Sequence, residues 1–120
     1  MIIVQAGGND LNAGKTPQQV LADFQALATK VRTALPDVRI VYLSSSPSPA
    51  RWSQAESQLE MNWLVKEYIS AGKNLDYIES YNAFLGAGGK PPEELFVADG
   101  LHHNAEGYKI RASLVKPHLP

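Results

Sequence analysis

The stretch "VRIVYLSSS", residues 38 to 46, decides how this chain folds. After Arg39 it runs Ile40, Val41, Tyr42, Leu43 with no polar residue. A strand with one wet face alternates apolar and polar side chains. A strand apolar at every position has both faces covered, which fits a parallel sheet held between layers of helix. Val38 to Leu43 therefore reads as a buried strand, and "SSSPSPAR", residues 44 to 51, as the loop that leaves it.

Working outward, the flanking segments fit that frame. Upstream, Thr16 can cap a helix, Pro17 suits its first position and Gln19 can complete a capping box. Val20, Phe24, Leu27, Val31 and Leu35 follow at helical spacing, and Pro36 ends the run. Before that helix, Ile2 to Gln5 is a β-branched run stopped by Gly7 and Gly8, which predicts a first strand, with "NDLNAGK" as a loop. Downstream, a second helix is expected from just after Ser48-Pro49 to about Gly72, with Met61, Leu64, Val65 and Tyr68 as its apolar stripe. Leu75 to Ser80 is a more polar strand suited to a sheet edge. Residues 81 to 103 form a long loop, and a last helix starts near Asn104 and ends before Pro117. The order β-α-β-α-β-loop-α predicts an α/β three-layer sandwich with parallel strands and right-handed crossovers, as one domain over residues 1–120.

Composition sets limits on function. The 120 residues are 44% hydrophobic and 19% charged, with a formal net charge of −1 and no basic cluster. Nucleic acid is therefore not an expected partner. There is no cysteine, so no disulfide, thiolate nucleophile or cysteine-held metal. The start, "MIIVQAGGND", has no basic n-region and too short an apolar run for a secretory leader. No segment has the length to span a bilayer. The chain is expected to be soluble, with no membrane partner and no cofactor; its compartment is left open.

Parallel α/β sheets keep their chemistry beyond the carboxyl ends of the strands. Three segments should meet there: "GGND" (7–10), "SSSPS" (44–48) and the loop carrying "ADGLHHNAEGY" (98–108). In the last, Asp99 stands three residues before His102. A neutral imidazole is a useful base near pH 7, and it works best with a carboxylate on its other nitrogen. As a bare pattern Asp-x-x-His is common, and a surface loop with an Asp-Gly turn and a solvated His is its more usual source. In "GGND", Asn9 can aim its amide N–H at a developing oxyanion, while Gly7 and Gly8 allow close backbone approach. A strand-ending turn uses the same residues.

The two blocks together, in this order and at these ends of the elements, resemble the SGNH, or GDSL-type, hydrolase family. The flanking text, "VLADFQALATKVRTALPD", "SPSPARW" and "ELFVADGLHHNAEGY", is similar to it as well. The resemblance implies a flavodoxin-like sandwich and serine-dependent hydrolysis of short acyl or acetyl esters. It implies His102 as base, Asp99 as its orienter and Asn9 as oxyanion donor, with Gly8 and Asp10 at the binding site. One departure matters. The family's nucleophile sits in a Gly-Asp-Ser block, and that block occurs nowhere in these residues. The chain resembles the C-terminal part of the family domain, with about three strands and three helices and with impaired chemistry implied. Ser44, Ser45 and Ser46, at the end of the second strand, are the candidate replacement nucleophiles, although a strand-end serine also serves as a turn former.

Other readings accompany this one. A non-catalytic remnant of the fold would oligomerise and at most bind. A metal-dependent hydrolase would draw on Asp10, Asp99, His102 and His103, although no ligand pair has zinc spacing. Trp52 and Trp63 read as packing residues, His118 as solvent-facing and Glu93-Glu94 as a solvated pair. The first strand carries no proline, lysine or bulge to blunt it, so pairing with the first strand of a second copy, antiparallel about a twofold axis, is expected.

Overall fold

The computed structural model describes all 120 residues. Ile2–Val4 (β1), Ile40–Leu43 (β2) and Leu75–Ile78 (β3) form a parallel sheet in the order β1-β2-β3. The central strand is the one whose sequence is apolar on both faces, and its four residues are 0–2% exposed. Ile40 and Tyr42 face Pro17–Ala34 (α2) and Ala55–Ser70 (α3), where they join Phe24, Ala28, Val65 and Ile69. Val41 and Leu43 face the other way, with Ile78, against Leu114 and Val115 of Ala105–Val115 (α4). The result is the three-layer arrangement expected from the sequence, with β1 and β3 as its two edges. No helix is long and apolar enough to cross a membrane.

Local rules account for the element ends. Thr16 accepts from the Gln19 N–H at 3.1 Å and the Gln19 side chain accepts from the Thr16 N–H at 2.9 Å, which makes the expected capping box. Tyr42 reaches past the end of β1 and donates its phenol to the Ala6 carbonyl at 2.9 Å. Burial pushes that phenol's pKa up. Phe24 sets its ring edge-on to those of Tyr42 and Tyr68, at centroid distances of 5.2 and 6.0 Å.

Several expectations need correction. Residues 9–15 are not simply a loop: Gly8–Asn12 forms a short helix (α1), because Gly7 turns the chain at φ 111° and its carbonyl accepts from Leu11 at 2.9 Å. Leu11 then packs with Val20 and Met61. The second helix opens as a 3-10 turn, Pro49–Gln54, broken at Arg51, and becomes regular only at Ala55. Leu27 and Leu35 do not join the core and are 41% and 51% exposed. The covered face of α2 follows the ridge Val20, Phe24, Ala28, which leaves Leu27 at its margin, and Leu35 lies beyond the last helical residue. Trp63 is 59% exposed rather than packed, because α3 turns Met61, Asn62, Val65 and Ile69 inward. His118 is half-buried, and its carbonyl accepts from Arg39 at 2.9 Å.

Candidate functional site

The segments that leave β1 and β2, together with the loop before α4, enclose a cleft of about 470 Å³. Gly7 to Asp10 line one side, Ser45 to Ser48 and Arg51 another, and Leu101 to His103 with Tyr108 a third. Polar groups far apart in sequence thus meet at the carboxyl edge of the sheet, as the topology requires.

The Asp99–His102 pair is built by a tight turn. Phe96 and His103 pair antiparallel, and Val97 N–H donates to the His102 carbonyl at 2.9 Å. Gly100 occupies φ 65° at the tip, and its carbonyl accepts from Ala50 N–H at 3.0 Å, which ties the turn to the loop after β2. Asp99 Oδ1 accepts from the backbone N–H groups of Leu101 and His102, at 2.8 and 2.9 Å. Its Oδ2 lies 2.5 Å from His102 Nδ1. Those bonds, with the His102 ring first, lower the Asp99 pKa to about 2. With Nδ1 engaged, Nε2 is the ring atom left for proton transfer, the division of labour of a base held by a carboxylate. Both side chains are open to solvent, 69% and 45% exposed.

His103 points elsewhere. Its ring stacks on Phe84 at 4.3 Å and 8°, with Phe96 and Tyr108 around it. Burial first, then the charges of Arg111 and His102, lower its pKa. No cluster of three or more of Asp10, Asp99, His102 and His103 forms, so the arrangement required by the metal reading is not built. Asn104 caps α4, accepting from Gly107 N–H at 3.1 Å, and so fixes the helix that follows the pair.

Asn9 sits in the first turn of α1. Arg51 Nη1 donates to its Oδ1 at 2.7 Å, so the amide nitrogen is the free end. Gly8 faces Ser45 and Arg51, whose Oγ and Nη1 would stand at ordinary contact distance, 3.8 and 3.9 Å, from an added Cβ. The cleft therefore brings together Asn9, Gly8, Asp10 and His102, with Asp99 behind the ring.

The serines divide. Ser44 is 0% exposed and lies outside the cleft. Its Oγ accepts from Ser80 N–H at 2.8 Å, which closes β2 onto the segment after β3. It is a structural serine, contrary to its candidacy as nucleophile. Ser45 lines the cleft, but Asn62 clamps its backbone on both sides, donating to the carbonyl and accepting from the N–H, each at 2.9 Å. Ser46 lines the cleft and is half-buried. The His102 ring bonds to Asp99 and to no serine.

Several cleft residues were missed from sequence: Arg51, Arg111, Gln5 and Gln58. Arg111 had a usable signal, since it lies seven residues after the Asn104 cap, on the helix face shared with Tyr108. Arg51 had none, because its placement depends on the break in the 3-10 turn. Gln58 is 3% exposed, and its amide oxygen is buried without a donor.

Comparison with known proteins is consistent with this construction. No curated protein sequence matches the chain. Solved structures share the fold. A Streptococcus pneumonia protein, provisionally described as a platelet activating factor, superposes with a TM-score of 0.88 at 23% identity, over 99% of this chain and 59% of its own. A GDSL-like lipase from Bacteroides thetaiotaomicron VPI-5482 superposes with a TM-score of 0.76 at 18% identity, over 98% of this chain and 60% of its own. The chain thus spans about three-fifths of the length of these structures. The model of the GDSL-like Lipase/Acylhydrolase family matches residues 1–110. With nine-tenths of its length matched and the family's Gly-x-Asn-Asp and Asp-x-x-His blocks facing one cleft, this chain belongs to the GDSL-like lipase/acylhydrolase family.

Proposed function

We propose that this cleft serves acyl-ester hydrolysis, with His102 as general base, Asp99 as the group that orients and stabilises its imidazolium, and Asn9 as an oxyanion donor. The observation that carries the reading is the 2.5 Å contact of Asp99 with His102 Nδ1 in the same cleft as the Asn9 amide. In the reaction, Nε2 takes the proton of an attacking hydroxyl as its oxygen bonds to the acyl carbon. The carbonyl oxygen gains the negative charge, which the Asn9 N–H meets. The imidazolium then returns its proton to the leaving alkoxide, and in a second round water, deprotonated by Nε2, attacks the acyl carbon and releases the acid as the hydroxyl oxygen takes its proton back. Short acyl or acetyl esters are the substrates proposed.

The attacking hydroxyl has two candidates within these residues. Ser45 and Ser46 reach the cleft and Ser44 does not. A serine from another segment or chain, seated beside His102, would complete the site. The second reading is a binding role without turnover, in a self-associating form of the fold. It is favoured by the observation that the His102 ring bonds to no serine.

Hydrolysis of a short-chain nitrophenyl ester tests the choice. Under the hydrolase reading, His102→Ala lowers turnover by about 10²–10⁴-fold, and a Ser45→Ala/Ser46→Ala double variant reveals whether the nucleophile is internal. Turnover indifferent to His102→Ala would assign it to some other surface and leave the binding role.

A further inference from the structure

We propose that the cleft contains an anion-binding subsite made by Arg51 and Arg111, and that the ester it accepts carries a phosphate or carboxylate group away from the scissile bond. The proposal rests on the ester-hydrolase reading for its substrate class, but the subsite itself is read from charge and contacts.

Buried or half-buried guanidiniums are ordinarily neutralised by a carboxylate or saturated by carbonyls. This chain treats two arginines in those ways. Arg39 pairs with Asp76. Arg32 donates to the carbonyls of Pro36, Val38, Lys73 and Asn74. Arg51 and Arg111 are handled differently. Both are half-buried, both line the cleft, and neither forms a salt bridge. Each donates to one neutral amide oxygen, Arg51 to Asn9 and Arg111 to Gln5. A guanidinium has five N–H donors in a fixed fork, so each keeps donors free, in the geometry that carboxylate and phosphate oxygens match.

The two guanidiniums also line one cleft. Their anchors, Gln5 and Asn9, are four residues apart, which limits the separation of the anchors' Cα atoms to about 14 Å even for extended chain. The turn at Gly7 and the start of α1 shorten it further. The opposing charge is sparse. Asp99 commits its carboxylate to His102 and to two backbone N–H groups. Asp10 is the single carboxylate in the cleft lining, against two guanidiniums. The field of Arg111 is already felt at His103, whose protonation it opposes. A ligand anion seated between the forks would relieve both charges while its acyl carbon lay toward Asn9 and His102.

The test is calorimetric titration of the full chain with inorganic phosphate and, separately, with acetate, at low ionic strength. Saturable binding is expected, weakened a few-fold by Arg51→Gln or Arg111→Gln and at least tenfold by the double variant. It should be unchanged by Lys30→Gln, which removes an exposed charge on α2. Arg51→Lys, which keeps the charge and loses the fork, should fall between, and far-UV circular dichroism of each variant separates lost binding from lost folding. Tighter phosphate binding assigns a phosphate-bearing ester, and tighter acetate binding a carboxylate-bearing one. Absence of saturable binding of either ion, or a folded double variant that binds as the parent does, overturns the proposal. Anion binding without His102-dependent turnover would keep the subsite and defeat the hydrolase reading. Turnover without anion binding would do the reverse.

Discussion

At the scale of single residues, the charge on Asp99 is the feature most open to measurement. Three hydrogen bonds reach its carboxylate, and its pKa lies at about 2 instead of the ordinary 3.8. The folded value is depressed, so the contribution of this turn is fully present above the unfolded pKa and is lost as pH falls through the folded one. The window is therefore about pH 4 down to pH 2. Carbon-13 NMR of the Asp99 carboxyl should give a midpoint near 2, and a midpoint near 3.8 would mean the turn is not held. Gln58 supports an opposite kind of prediction. Its buried amide oxygen has no donor, and removing an unsatisfied polar group in favour of an apolar one of similar shape is neutral or stabilising. Gln58→Met should leave the urea midpoint unchanged or raise it, whereas a loss of stability would show that the amide is satisfied in solution. The meeting of Asn9 and His102 in one cleft was legible in the sequence, because "GGND" follows a strand and "DGLHH" precedes a helix of a parallel α/β fold. Arg51 and Gln58 were not, because nothing local in the chain says that an arginine and a glutamine near the start of a helix turn toward a cleft.

At the scale of elements, the pattern "IVYL" was enough to bury β2 between two layers, since only a strand covered on both faces can be apolar at every position. The capping signal of α2 was equally readable, because a cap is a local contact, and α4 begins beside the expected Asn104. The short helix α1 was hidden, because Gly7, Gly8, Asn9 and Asp10 are turn formers and the helix depends on tertiary support from Leu11 under Val20 and Met61. That dependence makes Gly7 a sensitive position. It holds φ 111°, and an added Cβ would collide with Met61 Sδ and stand 2.9 Å from Val20 Cγ1. Gly7→Ala should cost about 2–4 kcal/mol from backbone strain and overpacking together, read as a fall in the urea midpoint. A near-neutral result would show that the β1–α1 turn repacks freely. Thr16→Ala removes only a cap, and about 0.5–2 kcal/mol is expected in the same measurement.

At the scale of the whole molecule, the open side of β1 is the feature that the chain's own contacts leave unanswered. In a parallel ladder, alternate residues bond to the neighbour. Ile2 N–H donates to the Arg39 carbonyl at 2.8 Å, so Ile2 and Val4 serve β2, and the N–H and C=O of Ile3 point away from the sheet. Ile3 and Met1 are 37% and 39% exposed, and no charge or proline guards the edge. Strand order is a property of pairing across the chain, which is why the sequence pattern named the strands without ordering them; the unblunted first strand was expected as an open edge, and the order β1-β2-β3 has it there. We expect two copies to pair antiparallel about a twofold axis through Ile3, each Ile3 giving its N–H to the other's carbonyl, so that two three-stranded sheets become one. Ile3→Pro discriminates this from loose hydrophobic clumping. It removes the outward N–H, costs no bond to β2 because Ile3 makes none there, and is tolerated on an edge strand. Sedimentation equilibrium should show a dimer for the parent chain and a dissociation constant at least tenfold higher for Ile3→Pro, with unchanged far-UV circular dichroism. A parent chain that sediments as a monomer at every concentration, or an Ile3→Pro variant that dimerises as tightly, would mean that the edge is not where the copies meet.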